Sequence, residues 1–464
     1  MERGRAGYGW GAALVAGALL RLLFFHLRPT VAGDALMYGD LAQTMVAHHV
    51  YGFSGAVSGI SGTVIQPTLI RLPGYPLFLA ACFAVFGGVK YGAVVAVQIV
   101  VDLVGCALLG VLAERLMGRR AGLWGVWLAA LCPFTANYSV VVLAETLSVF
   151  CVVVALVALE RWDAREDAWG WVVVLGCALS GAVLLRPDEG LLAAVVLPVM
   201  LWVGVRRSAL SVGRRVAPVV IAALLVVLPL LGWTVRNWRV FHVIQPLAPR
   251  YANDPDEAVP FGFQRWFRTW AVDYKATYDI YWNYDDTRMR VGDLPARAFD
   301  DAQQREQTRE LFARYNRVRS ATPEFDAAFA QLAAERIARH PLRYTVVLPV
   351  AREMDMWLRP RFELTTMPVD WWAVREHPWK SAEEIAYALL NAAYLALAMV
   401  GLVRWRRLGW GGRGAVAFAM LGFVVLRCAL LLTLDNSEPR YTLECFPVVI
   451  LLGSFAVTKV RGVA

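Results

Sequence analysis

The chain has 464 residues, of which 58% are hydrophobic and only 18% charged, and its mean hydropathy is +0.49. A soluble globule of that length needs far more polar surface, so the composition argues for an integral membrane protein. The net charge of +9 is carried by short arginine clusters between apolar runs rather than by one basic face, which points to membrane topology and away from nucleic acid. Seven cysteines (Cys82, Cys106, Cys132, Cys151, Cys177, Cys428 and Cys445) all lie inside apolar runs, with no CxxC pair and no histidines at ligand spacing. Neither a disulfide framework nor a zinc site is read from them, and no metal or cofactor is expected.

Crossing about 30 Å of hydrocarbon takes roughly 20 apolar residues in a helix. Such stretches predict spans at 10–28, 91–113, 121–138, 140–159, 169–185, 189–205, 216–233, 383–403, 414–433 and 441–458. The expected fold is therefore all-α: a polytopic membrane helix bundle of about ten spans. The first run follows the basic start Met1 to Arg5, but no A-x-A cleavage site precedes Arg28-Pro29, so it is read as a retained span. The apolar segment Pro73 to Phe86 is too short to cross and is read as a re-entrant or interfacial helix.

With the N-terminus inside, all the short arginine-rich loops fall on one side. They hold Arg3 and Arg5; Arg115, Arg119 and Arg120; Arg161 and Arg165; Arg206, Arg207, Arg214 and Arg215; Arg404, Arg406, Arg407 and Arg413; and Lys459 and Arg461. Both termini are then cytoplasmic, in a bacterial-type inner membrane. The organisation expected is an N-terminal membrane module at 1–235 with an outer loop at 30–72, an extracytoplasmic region at 236–382, and C-terminal membrane helices at 383–464. The extracytoplasmic region has an aromatic stretch (Tyr274, Tyr278, Tyr281, Trp282, Tyr284), a helix-like amphipathic run from Ala296 to His340, and an apolar helix from Pro341 to about Leu358 that lies on the membrane.

Residues able to do chemistry gather on the outer side. Asp34 opens a surface-lying helix in the first loop, either as its N-cap or as a carboxylate base at the membrane surface. Arg71 precedes a rigid Pro73-Gly74-Tyr75-Pro76 turn, where it binds lipid phosphate nonspecifically or grips one substrate phosphate. Glu145 sits about one and a half turns into the fourth span, as a satisfied structural carboxylate or as a polar group facing a cavity. Asp102, near the middle of the second span, is read as a structural partner of Arg21. Arg186-Pro187-Asp188-Glu189, Arg236-Asn237 and Asn436-Ser437-Glu438-Pro439-Arg440-Tyr441 bring further arginines to the same side. Positive charge there runs against the usual bias and asks for an anionic partner.

In this order the sequence resembles the C-type glycosyltransferases, polytopic enzymes that use sugars carried on polyprenyl phosphate. It is similar in particular to the bacterial relatives of protein O-mannosyltransferases and of the aminoarabinose transferases that modify lipid A. The resemblance rests on Asp34 and Tyr38, on Arg71-Leu72-Pro73-Gly74-Tyr75-Pro76, on Pro133 to Tyr138 with Glu145, on Arg186-Pro187 and Arg236-Asn237, and on Glu438-Pro439-Arg440-Tyr441. It implies Asp34 as catalytic base and Arg71 as the contact to the carrier phosphate. The sequence departs from that pattern at Ala35, where mannosyltransferases commonly carry a second acidic residue, and at Arg71, where aminoarabinose enzymes have lysine.

The function expected is transfer of a sugar from a polyprenyl-phosphate donor to an acceptor hydroxyl at the extracytoplasmic face. Asp34 and Glu145 are the catalytic candidates, and Tyr38, Arg71, Arg186, Arg236, Arg440 and Tyr441 the substrate-binding ones. The partners expected are the polyprenyl-phosphate-linked donor, a lipid, glycan or protein acceptor, and membrane lipids. The rival readings are a lipid-linked sugar transporter or flippase, and a non-catalytic scaffold. The topology makes a direct prediction: a reporter active only outside the cytoplasm is active when fused after Tyr284 and silent when fused after Arg207, and a reversal of the two signals overturns the sidedness.

Overall fold

The computed structural model describes residues 2–27, 33–55, 64–165, 167–207, 209, 211–361, 364 and 367–458. Arg28, Pro29, Lys459 and Arg461 lie outside the described residues, as do the side chains of Arg3 and Arg5. Among the described residues the chain is almost wholly helical, with one two-stranded antiparallel ribbon. Among the described residues, six helices are long and apolar enough to cross a membrane: Tyr8–Leu27, Tyr91–Met117, Pro187–Arg206, Val212–Phe241, Pro378–Arg407 and Gly414–Leu431. Trp169–Leu185 is a shorter apolar helix at a seventh predicted span. The chain divides into two compact units, one of Met1–Glu257, Ala393–Val425 and Leu443–Ala464, the other of Ala258–Ala392 and Leu426–Thr442.

The other three predicted spans differ from single helices, each for a local reason. The stretch 121–138 is a helix Arg119–Ala130 followed, after a break at Leu131 and Cys132, by a second short helix Pro133–Tyr138 that starts on its proline. The helix expected at 140–159 begins only at Glu145 and runs to Asp163. The last, 441–458, is a 3-10 segment Pro439–Cys445 leading into Phe446–Ala456.

In the first unit we label α1 (Glu2–Leu27), α2 (Asp34–His48), α3 (Gly74–Phe86), α4 (Tyr91–Met117), α5 (Arg119–Ala130), α6 (Pro133–Tyr138), α7 (Glu145–Asp163), α8 (Trp169–Leu185), α9 (Gly190–Arg206) and α10 (Val212–Phe241). Helices α4 and α5 form a hairpin turned at Gly118, whose φ of +85° a side chain would strain. They close on small residues: a Cβ at Gly122 would stand 2.6 Å from that of Glu114, and one at Gly125 3.0 Å from that of Ala113. Arg21 of α1 is fully buried, pairs with Asp102 of α4 and donates to Gly17 O at 2.8 Å and Ala130 O at 2.7 Å. The Ala130 carbonyl is one that α5 leaves without a helical partner as it ends, so the guanidinium satisfies the break in the predicted third span. The sequence-based pairing of Asp102 with Arg21 is thus observed.

In the second unit an aromatic core forms around Phe263, Trp266, Phe267, Trp270, Phe312 and Phe329. Tyr284 stacks on Phe263 with ring centroids 3.8 Å apart, and Tyr281 and Tyr274 are also packed, so Tyr278 and Trp282 are the exposed members of the aromatic stretch. The run predicted from Ala296 to His340 is two helices, Ala302–Val318 and Pro323–Arg339. Arg319 ends the first in the left-handed region at φ +53°, and Thr322 caps the second, with Pro323 in its first turn. The apolar helix from Pro341 is present as a π-helical turn Arg343–Val347 continuing into Leu348–Leu358, and it exposes Leu342, Val346, Val350, Met354 and Leu358.

The buried pair in the first unit yields a stability prediction. Arg21→Met leaves Asp102 as an uncompensated buried charge and lowers the unfolding free energy by about 3–5 kcal/mol. Adding Asp102→Leu restores at least half of that loss in detergent-solubilised protein, and a double variant no more stable than the single one overturns the pairing as the cause.

Candidate active site

The first outer loop is a built substructure. Strands Gly52–Phe53 and Gln66–Pro67 pair antiparallel, with Gly52 opposite Pro67. The strands approach so closely that a Cβ at Gly52 would fall 2.3 Å from Gln66 O. Thr44 of α2 donates to Gly52 O at 2.7 Å, and Asp40 accepts from the Ser54 hydroxyl at 2.6 Å and amide at 2.7 Å. Leu41, Phe53 and Ile70 bury a small apolar core between ribbon and helix.

On that support sit Asp34, Tyr38 and Arg71. The N-cap of α2 is Gly33, at φ 57°, and Asp34 is the first helical residue, so the capping role read for Asp34 is not observed. Its carboxylate accepts instead from Arg71 Nη2 at 2.9 Å, with side chains 25% and 22% exposed for Asp34 and Arg71. Tyr38 lies one helical turn further on the same face and meets Tyr75 edge-on, with centroids 5.0 Å apart. The Tyr75 hydroxyl donates to Gln98 Oε1 at 2.6 Å, and Gln98 donates in turn to Val141 O at 2.7 Å.

A second cluster forms where α7, α8 and the helix at Phe446–Ala456 begin or end. Glu145 is the first residue of α7 rather than a position inside it, because residues 139–144 are not helical. It pairs with Arg186 Nη1 at 3.0 Å. Arg186 also meets Asp188 at 3.0 Å and Glu444 at 3.2 Å. Burial alone would lower the Arg186 pKa, but Asp188, Glu444 and Glu145 outweigh it and hold the guanidinium well above its ordinary value. Tyr38 links the two clusters electrostatically: burial pushes its phenol up to about 12, and Arg71, Asp34, Glu145 and Arg186 all act on it.

Arg236 is placed differently. It donates to Thr68 O and Tyr51 O, each at 2.7 Å, and stacks near Tyr51, Trp233 and Phe241. The Tyr51 hydroxyl donates to Arg71 O at 2.9 Å, so Arg236 braces the loop that carries Arg71. Arg236 also donates to Asn237 Oδ1 at 3.0 Å. Arg440 and Tyr441 belong to the second unit, where Arg440 pairs with Glu438 and the Tyr441 hydroxyl lies 3.4 Å from Asn436 Nδ2.

Glu444 is the residue that sequence reasoning missed. Its signal was available: a carboxylate inside a predicted span marks a functional or tightly paired site. Among the described residues no group of three or more His, Cys, Asp or Glu is placed to hold a metal ion.

Residues 67–233 match the family model described as dolichyl-phosphate-mannose-protein mannosyltransferase, a segment that includes Arg71, Glu145 and Arg186. No match was found among curated proteins. Among solved structures, the oligosaccharyltransferase of Archaeoglobus fulgidus tethered to an acceptor peptide superposes with a TM-score of 0.51 at 12% identity, over 97% of this chain and 49% of that one. The same archaeal enzyme, AglB, in complex with an inhibitory peptide and a dolichol-phosphate gives 0.49 at 12% identity over 97% and 50%. ArnT of Cupriavidus metallidurans bound to undecaprenyl phosphate gives 0.37 at 16% identity over 97% and 78%. The chain spans about half the length of the archaeal enzyme it superposes on. It is a polytopic integral membrane protein whose residues 67–233 match the mannosyltransferase family model and whose fold is similar to that of the archaeal oligosaccharyltransferase.

Proposed function

We propose that the chain is a membrane glycosyltransferase that moves a sugar from a polyprenyl-phosphate donor to an acceptor hydroxyl at the extracytoplasmic face of a bacterial-type inner membrane, with both termini cytoplasmic. The observation that carries the reading is the Asp34–Arg71 pair at 2.9 Å, a candidate base and a candidate phosphate-binding group in direct contact on a braced loop. The acceptor would be a lipid, glycan or protein.

In this reaction the acceptor oxygen bonds to the anomeric carbon as the bond from that carbon to the phosphate oxygen breaks. The polyprenyl phosphate leaves with an added negative charge, and the acceptor proton goes to a base. Arg71 presents a planar fork of donors, so one edge can hold Asp34 while another meets the phosphate. Asp34 takes the proton, a contribution worth about 10²–10⁴-fold when the base is well placed. The second cluster serves another part of the substrate. Arg186 faces Glu145, Asp188 and Glu444, a set with excess negative charge that repels a phosphate and accepts hydrogen bonds from hydroxyls. Glu145 therefore orients the sugar or acceptor, and Arg186 positions Glu145.

A lipid-linked sugar transporter would draw on charge within the membrane. Here one such charge, Arg21 with Asp102, is closed on itself and on two backbone carbonyls, which favours the enzyme.

Two measurements test the assignment, both with a synthetic polyprenyl-phosphate sugar donor and with membrane levels of each variant recorded. Asn is isosteric with Asp and accepts similar hydrogen bonds, so Asp34→Asn removes charge and basicity with little effect on folding, and transfer falls by about two orders of magnitude or more. Near-normal turnover in a well-expressed Asp34→Asn protein would reduce Asp34 to a partner of Arg71. Arg71→Ala raises the apparent KM for the donor by about tenfold or more, and Arg71→Lys recovers only part of it, because an ammonium cannot make the bidentate contact. Donor kinetics unchanged by Arg71→Ala remove the phosphate role.

A further inference from the structure

Helix α7 carries Glu145 at one end and Asp163 at the other, and its 19 residues separate the two by about 27 Å. At the Asp163 end the first unit holds a cavity of ≈ 200 Å³ lined by Asp163, Trp202, Arg206, Arg207, Gly412 and Gly414. Nothing in the proposed transfer reaction uses it.

The two arginines of the lining differ in how they are engaged. Arg207 donates to the carbonyls of Trp162 and Asp163, each at 3.0 Å, and lies 4.6 Å from the Trp162 ring centroid. It is a cap on the last carbonyls of α7, a common use of arginine at a helix C-terminus. Arg206 stacks over the Trp202 ring at 3.7 Å and has no hydrogen-bond or ion-pair partner among the described residues. Of the nearby carboxylates, Glu160 is engaged and Asp163 lines the cavity itself. Glu160 pairs with Arg115 at 2.5 Å and with Arg413 at 3.4 Å, and Asp163 stands in the field of Arg207 and Arg413. The cation left over is Arg206, held flat against an indole with its donor edges unengaged. The facing wall is bare: Gly412 has φ +74°, and a Cβ built on it meets nothing within 4 Å.

We propose that this cavity binds a phosphate group, with Arg206 as the donor and Trp202 as the plate that fixes its plane. The group comes from a phospholipid headgroup or from a soluble phosphate compound. A guanidinium that is already oriented and keeps its edge donors makes the two-pronged contact to phosphate with little further ordering. The volume holds roughly six waters at about 30 Å³ each, enough for a phosphate and the start of its ester.

The test uses the full-length protein in detergent and reads its unfolding temperature as phosphatidylglycerol, phosphatidylcholine or inorganic phosphate is added. At least one of the three produces a saturable rise, Arg206→Ala weakens its half-saturation by about tenfold, and Arg206→Lys recovers part of it. Arg120→Ala, which changes an arginine outside the cavity, leaves half-saturation as in the unaltered protein. A rise with phosphatidylglycerol but not with inorganic phosphate assigns the site to a lipid headgroup, and a rise with inorganic phosphate alone assigns it to a soluble ligand. Equal responses from the unaltered protein and Arg206→Ala overturn the proposal. So does an equal loss in Arg120→Ala, which marks unspecific surface charge. Arg206 is exposed, so the ligand-free unfolding transition of its variants stays near that of the unaltered protein and confirms that they are folded.

Discussion

Arg186 and its three carboxylates set the terms for the first unit. The arginine is 13% exposed, Glu145 4% and Glu444 0%, so these groups have given up most of their water and are tolerable only together. Glu145, Arg186 with Asp188, and Glu444 come from three separate stretches of chain, and each sits where a helix begins or ends. The pairing therefore fixes where those helices stop as well as how they pack. It explains why α7 starts at Glu145 although apolar residues precede it: Val140 to Leu143 have the composition of a span but are drawn into the irregular segment that delivers the carboxylate.

The same rule sorts the other arginines by what they have left to offer. Arg21 is enclosed by Asp102 and two carbonyls, and Arg236 is directed to carbonyls of the first loop. Arg71 is more open than Arg186, pairs with Asp34 and donates to Ile70 O at 3.4 Å. The arginines thus divide by the acceptors they meet, main-chain carbonyls for Arg236 and carboxylates for Arg71 and Arg186.

That division sets the limit of what the sequence disclosed. Apolar length located the six helices long enough to cross, and the short helix after Pro73 was legible from its fourteen residues. Helix ends were less so, although their signals were present. Pro133 breaks the third predicted span, and Thr322 followed by Pro323 restarts the helix that was read as continuous through Arg319. Asp34 was misplaced by one residue as a cap because glycine, too, serves at that position, and Gly33 takes it with φ 57°. The partners were mostly out of reach. Asp34 and Arg71 are 37 positions apart, and Arg236 and Tyr51 are 185 apart, so their pairing is decided by tertiary packing that no local pattern encodes. Asp102 with Arg21 was the exception, because a charge in the middle of a span has so few affordable fates that its partner can be named in advance.

The resting contact between Asp34 and Arg71 also bears on the order of events in the proposed reaction. While the guanidinium holds the carboxylate, an acceptor hydroxyl arriving alone meets an Asp34 already engaged with Arg71. A donor phosphate competes for the same guanidinium. As its bond to the sugar breaks its charge grows and it would draw Arg71 more strongly, which would release the Asp34 carboxylate to the acceptor as the acceptor proton must be lost. One arginine shared by two anions in this way couples departure of the phosphate to deprotonation of the acceptor, with no third group needed to carry the signal between them. Such coupling requires that the arginine move little, which is what the brace from Arg236 through Thr68 and Tyr51 provides.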